Sequence, residues 1–127
     1  MKLSKITLLV SLLCLFLAGC TSKSPEAVAI EFYKAYYRAD FKKMRSLCTP
    51  ETKEGVDIAS SMMKEDKIKE MKASKVKLEV VSCEIDKERD IAEVVLKIIN
   101  EESEVEKKET TYLKKENGQW LIVFNLK

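Results

Sequence analysis

The chain holds four cysteines and four tyrosines but no histidine in its 127 residues. Composition therefore removes the Cys–His and Ser–His pairs of nucleophilic catalysis. The aspartates Asp40, Asp57, Asp66, Asp86 and Asp90 read as turn, cap or polar helix-face positions. General acid–base work instead needs a carboxyl buried enough to shift its pKa. Tyr33, Tyr36, Tyr37 and Tyr112 could lend a hydroxyl to a pocket, although packing with a hydrogen-bonded OH is their commoner fate. Two cysteines without a histidine fall short of a zinc shell, and no glycine-rich phosphate loop is present. The expectation is a protein without catalytic residues, metal or cofactor.

One cysteine has a different chemistry in view. Lys2 and Lys5 precede an apolar run from Ile6 to Ala18, interrupted by Thr7 and Ser11, and the run stops at Ala18-Gly19-Cys20. A permanent membrane helix needs about 20 apolar residues, so this run suits a secretory signal better. Leu17-Ala18-Gly19-Cys20 resembles the lipobox of bacterial lipoproteins. The resemblance implies a diacylglyceryl group on the Cys20 thiol, cleavage after Gly19, and a lipid-anchored protein of the cell envelope. Thr21 replaces the aspartate that retains many such proteins at the inner membrane, so the outer membrane is favoured in a two-membrane cell.

Cleavage would leave residues 20–127, one domain by length. Loss of Lys2 and Lys5 leaves 21 basic against 21 acidic residues, so the argument for a nucleic-acid partner disappears. Cys14 departs with the signal, and Cys48 and Cys83 remain in the domain. Two readings stay open for them. An envelope disulfide would close a loop of about 36 residues and contribute about 3–4 kcal/mol in the chain-entropy model. The other reading is a pair of buried apolar thiols.

Positioning falls to the elements behind the anchor. Residues 20–24 form a short tether, and the domain occupies 25–127. Ser24-Pro25-Glu26 is a helix start, with Val28, Phe32, Ala35 and Ala39 on one stripe. Asp40 caps a second helix, "FKKMRSLC", and Thr49-Pro50-Glu51 repeats the first signature. The third helical region runs to about Lys72 with an interruption expected near Gly55, and Val56, Ala59, Met62, Met63, Ile68 and Met71 are its apolar positions. Beyond Ser74 the period becomes two. Val76, Leu78 and Val80 alternate, then Val81, Cys83 and Ile85 alternate in the opposite phase, which predicts a β-bulge. The strand near 91–99 is apolar on both faces and reads as central, while "VEKKETTYLKKE" suits an edge or a solvated face. Asn117-Gly118 marks a hairpin before "QWLIVFNL", which places Trp120, Ile122, Phe124 and Leu126 on one side.

This order predicts an α+β domain with N-terminal helices packed on a curved four-stranded antiparallel sheet. "SPEAVAIEFYKAYYRADFKKMRSLCTPETKE", "VKLEVVSCEIDKERDIAEVVLKI" and "TTYLKKENGQWLIV", behind the lipobox, resemble the small-lipoprotein branch of the nuclear transport factor 2-like superfamily, a domain of unknown function. The resemblance implies a cone, often with a pocket between the first helix and the sheet. Phe32, Tyr33, Tyr36, Trp120 and Phe124 are the candidate lining, with a filled core as the competing reading. It also implies a homodimer or an envelope partner through the outer sheet face, where Ile91, Val95, Ile99, Leu121 and Val123 fall. The expected function is non-catalytic binding or assembly at the membrane. The alternative is an isomerase- or dehydratase-like enzyme using the helix–sheet pocket.

Overall fold

A computed structural model describes residues 23–126. The expected signal segment, Cys20 and most of the expected tether lie outside them. Helix α1, Pro25–Tyr37, begins as read: Ser24 Oγ accepts from the Ala27 N–H, and Pro25 occupies the first turn, where its missing N–H costs nothing. Val28, Ala29, Phe32 and Ala35 form its buried stripe. Ala39 was expected to extend the stripe but lies beyond the helix, at φ 53°. Asp40 Oδ1 caps α2, Phe41–Ser46, by accepting from Lys43 N at 3.1 Å. Thr49 caps α3, Pro50–Ser61, and α4 spans Glu65–Ala73.

The helical break is displaced from Gly55. That glycine stays inside α3, and the chain breaks at Met62–Lys64. A Cβ at Gly55 would stand 3.2 Å from the Phe124 ring, so the glycine serves a close approach between α3 and the end of the last strand. Of the apolar residues assigned to this region, Val56 and Met71 are buried, whereas Ala59 and Met62 face solvent. The short last strand gives the second half of α3 little to pack upon.

The strands β1 (Val76–Asp86), β2 (Ile91–Asn100), β3 (Glu106–Glu116) and β4 (Gln119–Val123) form one antiparallel sheet in sequence order. β2 is central; Ala92, Val94 and Leu96 point into the core beneath α1, and Ile98 is buried further along the same face, beside the cleft that Met71 lines. Despite its charge, β3 is also interior to the sheet; Thr111 and Leu113 are buried, Glu109, Tyr112 and Glu116 are half-buried, and its other residues are exposed. The expected bulge is present. Val80 pairs with Leu96 and Ser82 with Val95, which leaves Val81 without a partner. The slip puts Val76, Leu78, Val80, Cys83 and Ile85 on one face. β4 ends at Val123, earlier than the alternation suggested.

Candidate functional site

The interval between α1 and the sheet is built from side chains that meet. Phe32 is buried, stands edge-on to Tyr33 at 5.6 Å, and approaches Phe124 at 6.1 Å. Thr111 Oγ1 donates to the Tyr33 hydroxyl at 3.3 Å across the helix–sheet boundary. Burial, partly offset by this bond, pushes the Tyr33 hydroxyl above its ordinary pKa, so it stays protonated at neutral pH. Trp120 is half-buried with Lys115 above its ring at 5.7 Å. Phe124 is 56% exposed because the strand has ended before it. Of the five aromatics proposed as one lining, Phe32 and Tyr33 therefore belong to the core, and Phe124 lies at the rim. Tyr36 alone opens onto a described cleft, of about 340 Å³ between α1, α4 and the ends of β1 and β2.

Tyr37 lies in the same cleft, edge-on to Tyr36 at 5.0 Å, with Lys107 opposite. Burial raises the Tyr37 pKa. At Lys107 burial works against the charge, but Tyr37 and Glu109 outweigh it and the ammonium is held above its usual range. Both groups therefore keep their ordinary protonation at neutral pH, which suits hydrogen bonding better than proton transfer.

The aspartates occupy structural posts. Asp40 is a cap, Asp57 pairs with Arg45 at 3.1 Å, and Asp86 accepts the Glu88 and Arg89 N–H groups in the β1–β2 turn. Asp66 lies in the first turn of α4, and Asp90 holds φ 52° in that same turn between strands. Among the described residues, no three His, Cys, Asp or Glu side chains converge as metal ligands.

Cys48 and Cys83 are free thiols. Cys48 is buried beside β4, where it bridges Ile122, and its Sγ donates to the Met44 carbonyl at 3.1 Å. Cys83 lies on β1, opposite Val94. β4, β3 and β2 intervene along the sheet at about 4.8 Å per strand, whereas a disulfide needs its Cα atoms within about 7 Å. The structure shows two free thiols, of which Cys48 is buried and Cys83 half-buried. Burial pushes Cys48 up to about 12, and burial with the Glu26 carboxylate pushes Cys83 up to about 11.

What remains open is one side of the sheet. The β4 edge is capped: Thr49 N donates to the Ile122 carbonyl at 3.1 Å, and Ile122 N donates to Leu47 at 2.8 Å. The opposite edge, β1, has no further strand among the described residues. Val80 is 38% exposed, Val81 47% and Ile85 47%. A groove of about 630 Å³ runs along its first half, floored by Ile30, Val76 and Leu78. Lys34, Arg38, Lys72 and Lys75 line that groove against a single Glu101, and none of the four forms an ion pair among the described residues. Lys34, Arg38 and Lys72 close helices, where cations offset the negative end of the dipole. Lys75 has no such reason to be there. The half-buried Ile91, Val95 and Ile99 of the outer face are separated by charge, for Ile99 faces Lys77 and Glu106, and Ile91 faces Asp86 and Lys114.

Sequence reasoning found β1 and its bulge but missed that this strand is the open edge. The signal was present in the exposed phase of Val80, Val81 and Ile85, but strand order is not written in a single strand. Comparison with protein families, curated proteins and solved structures finds no match to this chain.

Proposed function

We propose that this protein is a lipid-anchored lipoprotein of the bacterial cell envelope whose domain, a cone of the nuclear transport factor 2-like kind, has a non-catalytic binding or assembly role through its β1 edge. The observation that carries the role is the asymmetry of the sheet. One edge is closed by the Leu47–Thr49 link, and the other presents exposed valines and open backbone groups. Unpaired edges of this length recruit further strands, and protein–protein recognition by strand addition uses that tendency. The anchor reading is supported by position: α1 starts at Pro25, five residues after the lipobox cysteine, so a lipid on Cys20 would hold the folded domain close to the bilayer. Lys23, on the tether side of the cap, binds back to Glu31 at 2.6 Å and shortens the free segment further. No helix of the described residues is long and apolar enough to cross a membrane.

Two measurements test the reading. Cys20→Ala in the full chain should abolish fatty-acid labelling and release the protein from membranes; unchanged labelling would reject the anchor. For the edge, a photoreactive residue replacing Ser82 on β1 should give crosslinked adducts in native membranes. The same residue replacing Thr110, exposed mid-sheet on β3, should give few. Equal labelling at both positions, or none at either, would reject the edge as the interaction surface.

A further inference from the structure

We infer that the partner of the β1 edge is a second copy of this chain, joined antiparallel about a two-fold axis between Val80 and Val81. The inference rests on β1 being the interaction edge and adds what pairs with it and in which register. The bulge restricts the choice. Before it the helix-side residues carry even numbers (Val76, Leu78, Val80), and after it odd ones (Cys83, Ile85). A two-fold pairing that sets like face against like face must therefore oppose residues whose numbers sum to an odd value.

Placing the axis between Val80 and Val81 matches every position. On the helix side Val76 meets Ile85 of the second copy and Leu78 meets its Cys83, while the exposed Val80 and Val81 of both copies gather at the centre. On the outer face Lys77 meets Glu84 and Glu79 meets Ser82. Opposite charges directly across strands stabilise a pair, and like charges destabilise it. The two neighbouring registers do less well. Moving the axis one residue towards the C-terminus brings Lys77 to Asp86 but sets Glu79 against Glu84 on both sides of the axis, so each attraction is offset by a repulsion. Moving it towards the N-terminus brings Lys75 to Glu84 but leaves Lys77 opposite Ser82 and sets Glu79 of the outer face against the helix-side Val80, so the faces no longer match at the axis.

A bulge usually turns an edge away from partners. Here both copies carry it at the axis, so the two bends coincide and each half-strand runs regular beside its mate. The contact is isologous and closed, and it joins two four-stranded sheets into one of eight without leaving a β1 edge to propagate a fibre. Confinement of the chains to a membrane surface would raise their effective concentration and favour so small an interface, but the pairing itself does not depend on the lipid.

The register makes an unusual single-substitution test available. Leu78→Cys should form a disulfide with the native Cys83 of the second copy when the full-length protein is oxidised in membranes. The product should be a dimer of twice the chain mass that is lost when Cys83→Ala is added. Within one chain, positions 78 and 83 are five residues apart on an extended strand, about 16 Å, and cannot join. Independently of the new thiol, Lys77→Glu should weaken dimerisation about tenfold or more in light scattering of the detergent-solubilised protein, since it sets two like-charge pairs across the axis. Adding Glu84→Lys should restore it. A monomer by light scattering with no Leu78→Cys crosslink would overturn the dimer. Crosslinks from Ser82 to a product of any other mass would keep the edge but overturn the second copy, and failure of Glu84→Lys to rescue would overturn the register.

Discussion

Cys48 and Cys83 show how one residue type takes different employment in a single chain. Cys48 bonds to the Met44 carbonyl inside the core, and Cys83 is held beside Glu26 at the sheet edge. Burial raises both thiols above their ordinary value, so neither is held as a thiolate at neutral pH. Mass analysis of the purified protein, with and without reductant, should find two free thiols in the domain; a two-hydrogen difference in mass would restore the disulfide. The shift at Cys48 also has a consequence for stability. A thiol whose pKa rises on folding leaves its stabilisation intact below the ordinary value of 9.0 and gives it up as pH climbs towards about 12. Unfolding midpoints measured from pH 8 to pH 11.5 should fall for the native chain, with lysine titration contributing a share. Cys48→Ala should cost stability at pH 8 through the lost packing, and that gap should narrow as pH rises. A gap constant across the range would show that Cys48 does not titrate in this window.

At the scale of elements, the helix starts were legible because each carries its own local signature. Ser24, Asp40 and Thr49 supply capping oxygens, and Pro25 and Pro50 stand in first turns. α4 has no side-chain cap at Lys64, so nothing in the sequence announced the break before it. Gly55 drew the interruption instead, because glycine in a helix usually weakens it by about 1 kcal/mol relative to alanine. Its actual reason, the Phe124 ring, lies some 70 residues away in the chain and leaves no local trace. Gly55→Ala gains helix propensity but asks the ring to retreat by a few tenths of an ångström. More than half of that ring faces solvent and can move, so the substitution should stabilise the domain by about 0.5–1 kcal/mol. A lower midpoint in urea would mean that the Phe124 contact is more rigid than its exposure implies. The bulge was legible for the opposite reason, since Val80-Val81-Ser82 writes its phase slip into three adjacent residues.

For the whole molecule, the decisive feature is uneven anchoring. The core runs through α1, the inner faces of β2 and β3, and the Leu47–Cys48 segment, where Leu96, Leu113, Ile122 and Val94 are almost fully enclosed. Which aromatics fill this core and which stand outside it depends on where β4 stops, and that is a tertiary fact. The candidate lining was therefore only half readable. α4 takes little part. Met71 is its one buried side chain, it meets α1 sparsely, and its remaining residues are exposed or half-exposed. Segments with few buried contacts open locally at far less than the global cost. Amide exchange of α4 should thus be orders of magnitude faster than that of β2, whose inward side chains are buried and whose backbone is paired on both sides. Because Met71 and Ser74 line the cleft beside Tyr36 and Tyr37, the same opening would uncover that cleft without disturbing the sheet. Met71→Ala should accelerate exchange throughout α4 while leaving β2 nearly unchanged if the helix opens as a unit. Should the variant slow nothing and speed every element alike, α4 would instead be part of the global cooperative unit, with Met71 a core residue in energy as well as in burial.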